Sequence, residues 1–184
     1  KRPLLSIRMA ILALAVACEP RAAARGPRDV VSPVPTSLEA HYHRIGTVRL
    51  EQPDSALIVR VSGIDRNSAG LIALGDASEG NVKLFTESGR LLRILGRKGG
   101  GPGEFREPRY PRFADDTTLH IADTDGGRLT VITTSGRLVR TLQLGKLVYL
   151  SGFALDGHGG YLVGSEDPDG YVLFHLDSTG KQIG

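Results

Sequence analysis

A segment that recurs at long spacing constrains this chain more than any single motif, because a repeat dictates a series of like units rather than one irregular core. Residues 76–89, 123–136 and 167–180 align without gaps. Asp76, Asp123 and Asp167 open the three segments and Gly89, Gly136 and Gly180 close them, at spacings of 47 and then 44 residues. Inside the units apolar residues alternate, Val82 with Leu84 and Leu129 with Val131. A period of two marks a strand with one buried face. Composition agrees, since 24 glycines and 10 prolines in 184 residues suit short strands joined by frequent turns.

Four strands can be read in each unit. In the second they are Phe113-Ala114, residues 119–122, 129–132 and 138–142. The first unit repeats them as Ile64-Asp65 and residues 71–74, 82–85 and 91–95, and the third as residues 153–155, 161–163, 171–176 and a start at 181–183. Ser88-Gly89, Ser135-Gly136 and Thr179-Gly180 put glycine where a hairpin needs a positive φ. Asp76, Asp123 and Asp167 are expected to accept backbone hydrogen bonds at the turn between the second and third strands. A half calcium loop at Asp123-Thr-Asp-Gly and Asp167-Pro-Asp-Gly is the alternative, cut off before any bidentate glutamate. Four-stranded repeats of about 40–50 residues are propeller blades. The expected fold is therefore all-β: about three four-stranded antiparallel blades over residues 45–184, divided roughly as 45–100, 101–145 and 146–184.

With the strands placed, a family resemblance becomes specific. Residues 95–108 contain Gly99, Gly101, Pro102, Gly103, Phe105 and Pro108 in a GxGPGEFxxP-like stretch, followed by Phe113-Ala114, residues 119–123 and residues 128–132. This resembles an NHL repeat with its inter-blade loop and is similar to six-bladed propeller lipoproteins of bacteria. The third unit departs from the pattern, lacking the glycine-rich loop and carrying His175 where the others have Leu84 and Val131. The absence of tryptophan disfavours WD repeats. The resemblance implies a ring of six blades, of which these residues are expected to be the N-terminal half. The rival arrangement is two copies joined three plus three about a twofold axis.

The N-terminus reads as an export address. Lys1, Arg2 and Arg8 precede an apolar run over residues 9–17, too short to span a bilayer. Leu14-Ala15-Val16-Ala17-Cys18 resembles a lipobox, with Cys18 as the lipidated residue, although Ala15 stands where leucine is usual. Ordinary cleavage after Ala15-Val16-Ala17 or Ala22-Ala23-Ala24 fits as well. Residues 1–18 are thus a signal segment and residues 19–44, with Pro20, Pro27, Pro33 and Pro35, a disordered linker. His41 and His43 beside Glu39 are a two-imidazole cluster more in keeping with polar linker than with a metal clip.

Charge argues against nucleic acid. The formal net charge is +3, but without Lys1, Arg2 and Arg8 the remaining basic and acidic residues balance at 20 each. Arg90, Arg93, Arg97, Lys98, Arg106, Arg109 and Arg112 crowd one stretch opposite Glu104 and Glu107, an ordinary solvated face or a contact for an anionic sugar, lipid headgroup or acidic partner. Residues 99–103 lack the lysine and helix of a phosphate loop and read as structural. The residues leave the cofactor unknown. Two functions stay open: an exported, membrane-anchored binding scaffold for an envelope protein, peptide or glycan, and a metal-dependent enzyme. Similar propellers include lactonases and lyases with a metal on the ring axis. His120, His158 and His175 occupy no equivalent positions from which such a ligand ring would be built.

Overall fold

The computed structural model describes residues 45–144, 150–167 and 169–184. Cys18, His41 and His43, with the whole signal and linker, lie outside the described residues. Three antiparallel sheets follow one another along the chain. The first pairs β1 (Val61–Arg66), β2 (Ile72–Asp76), β3 (Asn81–Phe85) and β4 (Leu91–Leu95) in sequence order. The second repeats that order with β5 (Pro108–Phe113), β6 (Thr118–Asp123), β7 (Arg128–Thr133) and β8 (Leu138–Gln143). The third holds β9 (Leu150–Leu155), β10 (Tyr161–Asp167) and β11 (Gly170–Leu176), and a Leu176–Gln182 bridge starts a fourth strand. These sheets are blades of a β-propeller.

The repeat in sequence is a repeat in geometry. Asp76 faces Asn81 across the β2–β3 hairpin, Asp123 faces Arg128 across β6–β7, and Asp167 faces Gly170 across β10–β11. The β3–β4 and β7–β8 turns are built alike. Thr86 Oγ1 accepts the Arg90 N–H at 3.0 Å, Thr133 Oγ1 accepts the Arg137 N–H at 3.0 Å, and Gly89 and Gly136 follow with φ of 88° and 94°. Asp177 substitutes a carboxylate for the threonine hydroxyl, accepting the Lys181 N–H at 3.0 Å ahead of Gly180 at φ 87°. The left-handed glycine closes each turn with a bulge that keeps the strands twisting together.

Side chains alternate between the two seams of each blade. One face of β2 and β3 sends Ala73, Val82 and Leu84 against Leu119, Ile121 and Ile132 of the second blade, with Phe105 buried among them. The next seam joins Ala122 and Leu129 to Phe153, Tyr161 and Val163. The opposite face of the first blade carries Ile72, Leu74 and Phe85, covered by Leu50 and Ile58 from the segment ahead of β1. The face of the third blade that matches the Leu84 face of the first leaves Tyr171 and Leu173 exposed. His175 lies on that same face, which explains why an imidazole replaces Leu84 and Val131: its Nε2 meets Asp156 Oδ2 at 2.8 Å at a half-exposed site rather than in a closed seam.

Candidate functional site

The recurring aspartates position what lies at one end of the blades. Asp76, with no exposed side-chain surface, accepts N–H groups from Val59 at 2.8 Å and Arg60 at 3.1 Å, just ahead of β1. Asp123 likewise accepts Arg106 at 3.1 Å and Glu107 at 2.8 Å, just ahead of β5. Asp76 also receives Ser78 at 3.2 Å and Glu79 at 3.3 Å in its own hairpin. The turn bonds expected of these aspartates are present at Asp76, and Asp76 and Asp123 in addition tie the segment leading into the blade's first strand to the end of the second, a latch 16 or 17 residues long in sequence, while the Asp167 side chain lies outside what is described. A buried carboxylate needs compensation. Lys83 Nζ supplies it to Asp76 at 3.0 Å and Arg128 Nε to Asp123 at 3.1 Å, from non-equivalent places on the third strand. Burial works against the Asp76 anion, yet its backbone and Lys83 hydrogen bonds outweigh it and hold the carboxyl below the usual carboxylate range.

The glycine-rich connection between the first two blades is filled by its own side chains. Gly101 donates its N–H to Glu104 Oε2 at 2.8 Å while Arg97 Nε donates to Oε1 at 2.8 Å. These contacts, the Gly101 amide foremost, keep the Glu104 carboxyl below its ordinary range. Gly99 packs so closely on that carboxylate that a Cβ would overlap it. Phe105 is wholly buried, and Gly96 at φ 73° passes against its ring. Pro102 forms the exposed crest, followed by half-buried Gly103 with φ 72°, and Pro108 begins β5. Arg128 reaches into the connection from β7, donating to the Gly100 carbonyl at 2.9 Å and to the Glu104 carbonyl at 2.6 Å.

Beside this connection, where β5 and β9 begin, the latch delivers a polar mouth. A cavity of about 380 Å³ is lined by Glu107, Arg109, Tyr110, Asp125, Ser151 and Glu166 among others. Glu107 Oε1 accepts Arg60 and Arg109, both at 2.8 Å, and its Oε2 accepts the Thr124 hydroxyl at 2.8 Å. Burial opposes ionisation of Glu107, but the hydrogen bonds from Arg109 and Thr124 and the Arg109 charge prevail, bringing its pKa down to about 2. Glu107 in turn raises the pKa of Arg109. Arg109 Nε is sealed from solvent with no hydrogen-bond partner. Tyr110 is the one non-glycine residue among those described with positive φ, 48°, and its hydroxyl donates to the Ser151 carbonyl at 3.1 Å across the seam. The strain follows from the register shift between Arg109 and Arg112 in β5, whose Pro108 and Pro111 cannot donate to the ladder.

The structure separates other candidates. The basic run splits between the outermost strand of the first blade, which carries Arg93, and the innermost strand of the second, which carries Arg109 and Arg112. Arg112 donates to the Ile64 carbonyl at 3.3 Å. His120 lies in the seam between the second and third blades, 5.6 Å from the Tyr161 ring centroid. Asp156 gathers the His158 N–H at 2.7 Å and the His175 ring, and these bonds, His175 first, lower its pKa to about 2. Among the described residues no three His, Cys, Asp or Glu side chains group as a metal site.

The fold and mouth define the class, blades of a β-propeller with a polar cleft at the first strands. Comparison with solved structures agrees. A candidate exported protein from Bacteroides fragilis is similar at a TM-score of 0.61 and 21% identity, over 74% of this chain and 40% of that one. A chain of a nidogen/laminin complex is similar at 0.55 and 15% identity, over 68% and 47%. A protein of unknown function from Bacteroides caccae is similar at 0.52 and 19%, over 65% and 46%. This chain thus spans less than half the length of each. At such identities the likeness concerns the fold. No protein-family model and no curated protein matches the chain.

Proposed function

We propose that the chain belongs to an exported binding scaffold, anchored to the cell envelope through Cys18, whose mouth at β5 and β9 takes a polar envelope polymer, a glycan before a peptide. The observation that supports this reading is Tyr110 held at φ 48° over the cavity, since backbone strain of about 1–3 kcal/mol persists where the surroundings enforce it and gathers at ligand sites. The lining mixes Glu107, Asp125 and Glu166 with the Arg109 guanidinium and an aromatic face. Carboxylates beside a guanidinium offer acceptors and donors together, the pairing that sugar hydroxyls need, and Tyr110 supplies the apolar surface. Export rests on the basic residues and apolar run of the signal segment.

The experiment is a binding assay of the full chain against purified envelope polysaccharide and against a peptide library, with Arg109→Ala and Tyr110→Ala as variants. Saturable polysaccharide binding that drops at least about tenfold in both variants supports the reading. Binding to peptides alone, or polysaccharide binding indifferent to both substitutions, overturns it. A labelled-palmitate comparison of wild type with Cys18→Ser tests the anchor, and incorporation that persists without Cys18 removes it.

A further inference from the structure

The seam between the second and third blades has a second opening at its other end, beyond the reach of the mouth residues. Its lining includes His120 on β6, Arg140 on β8, the Gly157–Gly160 turn between β9 and β10, and Ser178, around a cavity of about 340 Å³. His120 is 8% exposed, and its Nδ1 is sealed without a hydrogen-bond partner. Arg140 Nη2 donates to the Tyr161 hydroxyl oxygen at 3.0 Å. Tyr161 itself is fully buried and is not among the residues lining the cavity, so it fixes the Arg140 guanidinium there without facing the opening.

Donors outnumber acceptors here. Burial, followed by the Arg140 charge, lowers the His120 pKa to about 4, so the ring is neutral near pH 7 with a single N–H. An orphaned buried donor is rarer than an orphaned acceptor, which places that hydrogen on Nε2, the ring nitrogen that is not sealed. The carboxylates facing the site are already engaged. Asp156 takes the His158 and Gly160 N–H groups and the His175 ring, and Asp115 takes the Thr117 N–H and hydroxyl. Among the described residues no carboxylate forms an ion pair with Arg140, whereas Arg60, Arg66, Arg97, Arg109 and Arg128 each have one.

We infer that this cavity is a second ligand site, in which the Arg140 guanidinium and the His120 imidazole receive an organic carboxylate about the size of one sugar ring. A carboxylate presents only acceptors, matches the guanidinium fork and satisfies a neutral imidazole N–H without titrating it. A volume of about 340 Å³ accommodates one sugar ring. The glycines at 157, 159 and 160 leave the wall without side chains. This site is independent of the polymer mouth, and either stands without the other.

The test is titration of the full chain with sodium glucuronate, glucose and sodium acetate, followed by the ring nitrogen resonances of His120. Arg140 is solvent-exposed, so Arg140→Gln leaves the core intact. The expected result is saturable binding of glucuronate that shifts the Nε2 resonance, with glucose and acetate at least about tenfold weaker and Arg140→Gln weakened by about tenfold or more. Absence of glucuronate binding at about 50 mM, well above a weak-ligand range, overturns the proposal. So does equal binding of glucose or acetate, or undiminished binding by Arg140→Gln.

Discussion

Replacing Lys83 with threonine copies into the first blade the residue that the second carries at the matching place, Thr130. Lys83 and Asp76 form an ion pair at 3.0 Å with side chains 1% and 0% exposed. Removing one partner of a buried pair costs about 3–5 kcal/mol, because the other charge stays behind unpaired. Asp76 retains N–H donors from Val59, Arg60, Ser78 and Glu79, which places the loss at the lower end, about 3 kcal/mol. For a domain of this size that lowers Tm by roughly 10 °C. The second blade shows the remedy. Arg128, cross-strand from Asp123, neutralises it from the position that Asn81 occupies opposite Asp76. Adding Asn81→Arg to Lys83→Thr is therefore expected to recover at least about 1 kcal/mol. Urea unfolding followed by circular dichroism, with unchanged m-values, measures both. A loss below about 1 kcal/mol for the single variant, or a double variant no more stable than the single, refutes the reasoning.

The other predictions concern acid and close packing. Glu107 has a folded pKa of about 2 against an ordinary 4.5, so its contribution is complete above the unfolded value and fades as pH falls from there toward 2. Glu107→Gln is expected to be less stable at neutral pH and to lose less stability on acidification, and parallel acid limbs in unfolding experiments would contradict this. Gly89→Ala and Gly136→Ala share the strain of φ near 90°, but a Cβ at Gly89 overlaps the Arg49 carbonyl while at Gly136 the nearest atom is Leu95 Cδ2 at 3.7 Å. The first variant should melt several degrees below the second, since only it displaces the segment that covers the first blade; equal melting points would show that this segment is not held there.

What was legible in the sequence is what short-range chemistry encodes. The Thr-x-Ser-Gly turns at 86–89 and 133–136 close hairpins through contacts within four residues, so their recurrence marked the blades. The first strand of the second blade was read at Phe113-Ala114, whereas β5 runs Pro108–Phe113. Read from the sequence, Pro108 belongs to the inter-blade loop, whereas Pro108 and Pro111 both lie in β5, an edge strand where a missing N–H is tolerated. Those same prolines, bracketing Arg109 and Tyr110, were the available sign of the bulge at the mouth. The latch was half legible. The recurrence of Asp76 and Asp123 announced a shared task, but its partners lie 16 or 17 residues upstream and carry no side-chain signature, being backbone amides. The cavity at His120 was silent, because Arg140 and Tyr161 come from different blades and meet only after both have folded.

The account turns on Asp76 and Asp123 each holding the segment ahead of its blade's first strand. Residue-resolved hydrogen exchange of Asp123→Ala against wild type reads that contact directly. The Arg106 and Glu107 amides, which lie outside any strand, should be protected in wild type and exchange at loop rates in the variant, while Val59 and Arg60 keep their protection through Asp76. Arg106 and Glu107 amides that exchange equally in both proteins would contradict it.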